Sequence, residues 1–351
     1  MRLDTRSTAV RPYEWAELAT AVPEYTVSVP WLETMGPLLP GDPLWLVGEV
    51  DGQARIGLHA RWLESPPSES RYDIAAVLRG DIPWPEPREA PATVLATGQL
   101  YPSILVMLPG YSCAPAGSGA TDPVLLGRTL DDLDAWAAAH GARSVSFLYV
   151  PERQALLRRA LADFGAHPVP LYSTCVLPMT FSSVEEYLQQ LSQRRRSGIR
   201  RLLRRLDENR MTVQEADLHE VRDEVLELRL GLLRKYKSAA DRTQQSDTLD
   251  RMFEHYAPED IVVTTVRHED RVVAFTLALR HGDTLRQLWC GQLPQAYGAY
   301  FVMHFHELIS AALRRGVARI DYGTLKWAEK TAHGCRLEPL TGHMWTVPRH
   351  A

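Results

Sequence analysis

The clearest alternation of apolar and polar positions lies in the C-terminal half of the chain. Three runs rich in Val, Thr, Phe and Leu are separated there by short turns that contain Gly and Asp. This pattern predicts an antiparallel meander. After a loop, a helix is predicted over about 300–315, ended by Gly316, and a last short strand follows it. The predicted strands are Ile261–Arg267, Val272–Arg280, Thr284–Cys290 and Val317–Tyr322.

The N-terminal half repeats part of this pattern. A hairpin with an Asp-Gly turn over 43–63 resembles the pair Ile261–Arg280, and strands and helices alternate after it. Residues 64–92 are rich in Pro, Ser and Glu, which predicts a long surface excursion or a flap over a site. The alternating elements are Ser103–Leu108, Asp122–His140, Ser144–Val150, Glu152–Phe164 and Pro168–Leu177. We therefore predict an α+β (mixed α/β) protein with domains over 1–175 and 176–351.

Composition limits the possible functions. The 351 residues are 45% hydrophobic and 23% charged, which is ordinary for a globular protein with real cores. A formal net charge of -4 argues against coating by nucleic acid over the whole surface, but not against a local basic face. There is no apolar run long enough for a membrane span, no signal-peptide core and no Cys-x-x-Cys spacing. These features predict a cytoplasmic protein with free thiols and no metal site.

The loop before the predicted helix contains Gln295 and Gly298. A Gln-x-x-Gly loop that leads into a helix N-terminus is an anion-binding arrangement, because the first backbone N–H groups of a helix have no partner inside it. An ordinary hairpin loop followed by a helix has the same pattern, so both interpretations stay open.

A basic segment over Gln193–Leu206 surrounds one apolar face with arginines. Its spacing predicts an amphipathic helix. One interpretation is a solvated helix surface. The other is a binding surface for a phosphate-bearing partner, which would relieve the repulsion among arginines that have few acids nearby. The arginines assigned to such a partner are Arg195, Arg196 and Arg200.

Several short segments in both halves carry a family resemblance. They are Tyr101-Pro102-Ser103, Pro109-Gly110-Tyr111, Tyr187-Leu188 through Arg205, Ile320–Gly323, Lys330, His333-Gly334, Pro339 and Gly342–Trp345. The order meander, glycine loop, helix and strand resembles the acyl-CoA-binding half of the GNAT acyltransferase superfamily. Over the whole chain the match widens to the Fem-type (FemAB-like) branch of that superfamily. Two positions depart from the pattern: Tyr300 replaces a small residue of the loop, and Glu329 replaces a His before the lysine.

The resemblance implies two tandem GNAT-like domains with mostly antiparallel central sheets flanked by helices, and a site in the cleft between them. It implies an N-acyltransferase that moves an acyl group from acyl-CoA or an acyl carrier protein to an amine acceptor. In that case the donor is a co-substrate and no cofactor is tightly bound. One alternative is an aminoacyl-tRNA-dependent aminoacyltransferase of Fem type. Another is a non-catalytic GNAT-like ligand-binding protein.

Acyl transfer to an amine needs a base for the amine proton and donors for the developing oxyanion. For the acyl transfer that the resemblance implies, the candidate donors are Lys330, Arg336 and Tyr300, and the candidate bases are His343, Asp321 and His306. The residues predicted to be catalytic are Asp321, His343 and Lys330. The residues predicted to bind substrate or donor are Gln295, Gly298, Tyr300, Arg195, Arg196, Arg200, Tyr111 and Arg336.

Overall fold

The computed structural model describes residues 3–8, 10–81, 99–236 and 241–347. The chain divides into two compact units, of which unit 1 is Met1–Ser173 with Glu338–Ala351 and unit 2 is Thr174–Leu337. The end of the chain thus belongs to unit 1, whereas the sequence predicts a single boundary after residue 175.

Unit 1 is organised around a sheet that begins as an antiparallel meander. Its strands are β1 (Leu3–Thr8), β2 (Asp42–Val50), β3 (Gln53–Leu63), β4 (Ser103–Val106), β5 (Ser144–Pro151) and, from the end of the chain, β12 (Arg336–Thr346). The first four strands pair antiparallel in chain order. β4 and β5 are parallel, and β12 pairs antiparallel with β5 from Leu340 onward.

Helices cover this sheet and connect its strands. They are α1 (Trp15–Thr20), α2 (Val29–Met35), α3 (Ile74–Arg79), α4 (Pro123–Ala139) and α5 (Ala155–Asp163). The parallel pair β4–β5 is connected through α4, because parallel neighbours need a crossover. Leu126, Leu130 and Leu133 of α4 are buried in one cluster with Phe147 of β5, so this helix closes the main core of unit 1.

Unit 2 contains the predicted meander. It contains the part of β6 (His167–Pro178) that begins at Thr174. Its other strands are β7 (Met211–Ala216), β8 (Ile261–His268), β9 (Arg271–His281), β10 (Thr284–Gln292) and β11 (Arg319–Asp321). β7–β10 pair antiparallel in order, β10 pairs parallel with β11, and β11 pairs antiparallel with β6. The mixed α/β fold class with mostly antiparallel sheets flanked by helices is therefore confirmed.

The first four helices of unit 2 begin at side-chain caps, which are Ser183, Ser192, Asp217 and Asp241. The helices of this unit are α6 (Val184–Gln190), α7 (Gln193–Glu208), α8 (Leu218–Lys235), α9 (Arg242–His255), α10 (Ala299–Val302), α11 (Leu308–Arg314) and α12 (Trp327–Thr331). Ser183 accepts a hydrogen bond from the Glu186 N–H, and the Glu186 carboxylate accepts from the Ser182 N–H, a variant of the capping box. Between α10 and α11, Met303–Glu307 form a π-helical turn, a feature that is frequent at functional sites.

One helix was not predicted from the sequence. α3 lies inside the Pro-rich segment 64–92, begins at Asp73, whose carboxylate accepts from the Ala75 N–H, and ends at Gly80. The prediction of a long irregular excursion is therefore wrong for Ile74–Arg79, and its part over 82–92 lies outside the described residues. The Pro and Ser residues on both sides favour a loop prediction, although the segment between them forms a short apolar helix with caps at both ends.

Candidate functional site

The strands β10 and β11 separate within unit 2. They pair only between Thr284–Arg286 and Arg319–Asp321. Beyond Asp321 the chain follows β6 instead, because Tyr322 N–H donates to the Cys175 carbonyl (2.8 Å) and Cys175 N–H donates to the Gly323 carbonyl (3.0 Å). β10 continues to Gln292 with β9 alone, with a bulge between Gln287 and Trp289. One edge of β10, from Gln287 to Gln292, thus has no strand partner among the described residues. We call the opening between this edge and the chain that follows β11 the splay. Its closed end lies where β10 and β11 part, and its open end lies at the end of β10.

The closed end of the splay, where the strands part, contains the predicted catalytic residue Asp321. Its carboxylate forms a buried ion pair with Arg286. The same oxygen accepts hydrogen bonds from the Thr174 hydroxyl and the Gly323 N–H, both at 2.8 Å. Gly323 has φ +70°, and an added Cβ would lie 2.9 Å from the Arg286 guanidinium, so glycine is favoured there and a side chain would press on Arg286. Asp321 is therefore engaged within the protein.

Lys330 lies at the same end and is 5% exposed. Its Nζ donates to the carbonyls of Tyr322 (2.7 Å), Gly323 (3.3 Å) and Thr324 (3.2 Å). An ammonium group has three N–H donors, so these carbonyls use all of them. Burial lowers the pKa of Lys330. This arrangement fixes the turn after β11 and leaves no ammonium proton for a ligand.

The open end of the splay begins where β10 ends. There the Gln292 side chain accepts a hydrogen bond from the Tyr300 N–H (3.1 Å). The Tyr300 ring stacks on His304 with 4.0 Å between ring centroids, and its hydroxyl has no hydrogen-bond partner among the described residues. Burial raises the pKa of Tyr300, and Cys290 and Glu329 raise it further by their charge. Tyr300 therefore presents a polar group beside the half-buried Glu329.

Three residues of the open end were missed by sequence reasoning: Arg229, Trp289 and Cys290. The Arg229 guanidinium lies 5.3 Å from the centroid of the Trp289 ring. Burial raises the pKa of the Cys290 thiol, while the charges of Arg229 and Lys330 oppose that rise. The signal for Arg229 was present, since it lies four residues after the buried Val225, on the apolar face of α8.

The Gln-x-x-Gly loop has a packing role in the structure. Gly298 has φ +91°, and an added Cβ would lie 2.4 Å from Leu202 of α7, so the glycine allows the loop to contact that helix. Two of the first backbone N–H groups are used, because Tyr300 donates to Gln292 and Phe301 donates to the Gly298 carbonyl (3.1 Å). Gln295 is exposed in a short 3₁₀ turn.

The arginines of α7 differ from one another in their partners. Arg200 forms an exposed ion pair with Glu185 (2.6 Å), so an acid is present after all. Arg196 donates to the Gln189 carbonyl (3.4 Å). Arg195 is half-buried, and its charge helps to lower the pKa of His333, which burial lowers most. The exposed members without an ion pair among the described residues are Arg194, Arg201, Arg204 and Arg205, of which Arg205 lies 5.7 Å from the centroid of the Tyr297 ring.

Tyr111 belongs to unit 1, in a cluster of tyrosines. Its hydroxyl accepts from Arg71 and donates to Glu69, both at 3.0 Å. Its ring lies 4.9 Å from that of Tyr149 and stacks on Tyr72 at 5.8 Å. Tyr111 and Tyr149 have φ values of +61° and +65°, backbone conformations that are strained for tyrosine. The cluster satisfies the Tyr111 hydroxyl internally.

The remaining predicted residues are dispersed. His343 lies in unit 1, where its Nε2 is 3.1 Å from the Thr341 hydroxyl and its buried Nδ1 has no hydrogen-bond partner among the described residues. Burial lowers the pKa of His343 to about 4. His306 contacts the Glu307 carboxylate (2.6 Å), and its neighbour His304 is buried. Arg336 is exposed in unit 2. The structure thus brings Asp321, Lys330 and Tyr300 to one splay.

Two other kinds of feature are absent from the described residues. No cluster of His, Cys, Asp and Glu there is suited to hold a metal ion. Among the same residues, every helix is too short or too polar to cross a membrane.

Two solved structures share the fold. The crystal structure of FemX has a TM-score of 0.63 at 12% identity, with 96% of each chain covered. A conserved protein of unknown function from Bacteroides thetaiotaomicron has a TM-score of 0.59 at 11% identity, with 97% of this chain and 99% of that chain covered. No curated protein sequence matches the chain.

The family is shown by the sequence itself. The profile of the FemAB-like family, which is described as peptidoglycan biosynthesis and recognition, matches residues 90–346. The predicted Fem-type resemblance is therefore confirmed, and the chain belongs to the FemAB-like family.

Proposed function

We propose that the protein transfers an acyl group from an activated donor to an amine at the open end of the splay. The observation that carries this proposal is the edge of β10 from Gln287 to Gln292, which has no strand partner among the described residues. Free N–H and C=O groups along a strand pair readily with an extended ligand. The extended end of an acyl donor, either the pantetheine arm of a thioester or the single-stranded 3′ end of an aminoacyl-tRNA, offers hydrogen-bonding groups to this edge, and binding there would direct its reactive end toward Tyr300.

Glu329 is the general base in this proposal. Its side chain is half-buried, its charge acts on Tyr300, and its carboxylate accepts no hydrogen bond among the described residues. It can take the amine proton while the new C–N bond forms and the donor's leaving group departs. The Tyr300 hydroxyl can donate to the oxygen that becomes negative. Burial lowers the pKa of His304 to about 3, which makes this neighbouring imidazole a weak base at neutral pH.

Asp321 and Lys330 act on this site as positioning residues in the same proposal. Asp321 holds Arg286, and Lys330 holds the carbonyls of the turn that follows β11. Together they keep the two strands apart, which is the condition for an unpaired β10 edge.

The geometry favours aminoacyl-tRNA over acyl-CoA as the donor. A CoA pyrophosphate needs the free amides of a helix N-terminus, and Gln292 and Gly298 already accept from two of them. Arg194, Arg201 and Arg204 on α7 have no acid partner among the described residues, which suits a long polyphosphate backbone. The family description supports an amine of a peptidoglycan precursor as the acceptor.

The test measures transfer to a muramyl pentapeptide from radiolabelled acetyl-CoA and from a mixed aminoacyl-tRNA pool. We expect turnover with aminoacyl-tRNA, and a loss of about 100-fold or more in kcat/KM for Glu329→Gln. Glu259→Gln, at an exposed carboxylate of unit 2, is the matched control and should keep full activity. Turnover with acetyl-CoA alone would select the thioester donor instead.

Thermal denaturation with each donor separates catalysis from binding. A donor at about a hundred times its Kd should stabilise the protein by about 2.7 kcal/mol. Stabilisation without turnover would support a ligand-binding protein and contradict the proposed activity.

A further inference from the structure

Arg229 occupies an unusual position for an arginine. It lies on the face of α8 that also contributes the buried residues Val225, Leu226 and Leu230. Its guanidinium lies over the Trp289 ring at 5.3 Å, and its Nε donates to the Gln245 side chain at 3.3 Å. Gln245 and Trp289 are both buried. Trp289 therefore fixes one face of the guanidinium group, and Gln245 fixes its Nε edge.

No carboxylate among the described residues pairs with this cation. Burial lowers the pKa of Arg229, yet a guanidinium stays protonated at neutral pH, so a half-buried charge lies there without a counter-charge. Other arginines of unit 2 in comparable places are paired. Arg222 of the same helix contacts Asp250 (2.6 Å), and the buried Arg286 contacts Asp321. Leaving a buried charge unpaired is costly, which indicates that a ligand supplies the missing anion.

The neighbours of Arg229 indicate where that anion comes from. Trp289, over which its guanidinium lies, belongs to the Gln287–Gln292 part of β10 that has no second strand partner among the described residues. Arg229 therefore lies beside the open end of the splay, and its charge also acts on the Cys290 thiol. Neither of its two Nη groups has a hydrogen-bond partner among the described residues.

We propose that Arg229 binds a carboxylate of the substrate, so that the amine or its acyl donor is an acidic molecule such as an amino acid or a peptide with a free carboxyl group. This inference rests on the proposed function for its location. With Nε fixed by Gln245, the two Nη groups form a planar pair of donors that matches the two oxygens of one carboxylate. A single guanidinium with both Nη groups unused among the described residues suits a single negative charge.

The experiment compares matched ligands that differ in one group. L-alanine, L-alaninamide and 1-aminoethylphosphonate are titrated into protein with ¹⁵N-labelled arginine, and the Nε–H signal of Arg229 is followed by NMR. Arg229→Gln assigns the signal by removing it, and thermal denaturation measures affinity in every variant. Arg222→Gln is the matched control, since it removes an arginine of the same helix that already has an acid partner.

We expect L-alanine to shift the Arg229 signal and to stabilise the protein, and L-alaninamide to do neither. Arg229→Gln should weaken the affinity for L-alanine about tenfold or more. Arg229→Lys should keep part of the affinity, and Arg222→Gln should keep all of it. Equal responses to the amide, stronger responses to the phosphonate, or an unchanged preference in Arg229→Gln would overturn the proposal. Because the readout is binding, a failed transfer assay with an intact carboxylate preference would reject the proposed activity and leave this site standing.

Discussion

At the closed end of the splay Arg286 pairs with Asp321, whereas at the open end Arg229 lies over Trp289 with no acid partner among the described residues. The two ends also differ in their other polar groups. Lys330 has all its donors filled by carbonyls, while the Tyr300 hydroxyl has no partner among the described residues. Polar residues at the two ends of the splay therefore have different roles. Groups whose hydrogen bonds and ion pairs are complete maintain the separation of the strands, and groups without a partner among the described residues are available to a ligand.

The largest expected effect comes from breaking the ion pair of the closed end. Asp321→Asn leaves Arg286 buried without a counter-charge, which should lower the free energy of unfolding by about 3–5 kcal/mol. Urea denaturation measures this loss. Glu185→Gln removes the acid of the exposed Arg200 pair, with side chains 50% and 56% exposed, and should cost less than about 1 kcal/mol. Equal costs in the two variants would show that the closed end does not depend on its ion pair.

The next effect concerns His304, whose imidazole lies under Tyr300 and whose Nδ1 donates to the Tyr300 carbonyl (2.9 Å). Burial lowers its pKa from 6.5 to about 3. The unfolded chain therefore binds an extra proton as the pH falls below 6.5, and the folded state loses stability. Between pH 6.5 and 4 the loss from this group is about 3 kcal/mol. His304→Gln should flatten the pH dependence of unfolding over this range; an unchanged slope would mean that His304 does not stay neutral.

Lys330 gives a smaller effect. Lys330→Met removes the donor shared by the carbonyls of Tyr322, Gly323 and Thr324, and should cost about 1–3 kcal/mol of unfolding free energy. Lys326→Met is the control, because this exposed lysine precedes the same helix, and it should change stability by less than about 0.5 kcal/mol. A stable Lys330→Met variant that lost only activity would restore the predicted catalytic role of Lys330.

The smallest change in free energy is expected at the open end, and it should appear in activity. Tyr300→Phe removes a hydroxyl without a partner, so stability should change by less than about 0.5 kcal/mol while kcat/KM falls about tenfold. Tyr297→Phe serves as the control, since Tyr297 is 68% exposed and lies in the preceding loop. Full activity in Tyr300→Phe would place the reacting groups elsewhere.

Much of the architecture around the splay was predictable from local pattern. The alternation of apolar and polar residues in 261–290 predicts the strands of the meander, because this signal depends on neighbours in sequence. The bulge between Gln287 and Trp289 and the π-helical turn over Met303–Glu307 depend on tertiary packing, and no local signal announced them.

The site was predictable in place but not in detail. Asp321 and Lys330 were chosen because they stand at and after a strand end, and both do lie at the splay. Asp321 accepts a hydrogen bond from Thr174, and Lys330 donates to backbone carbonyls. A sequence alone cannot reveal these partners. Arg229 was overlooked because an arginine on a helix usually points to solvent, although its place among apolar residues argued otherwise. The catalytic roles of Asp321, His343 and Lys330 stay predictions.

Hydrogen–deuterium exchange of the β10 backbone tests the central claim most directly. Exchange is followed for peptides covering 287–292 and, for comparison, 272–279 of β9, with and without the donor that supports turnover. The account predicts that the donor slows exchange in 287–292 by pairing with the unpaired edge, and leaves the already paired 272–279 unchanged. Protection elsewhere with no change at 287–292 would contradict it.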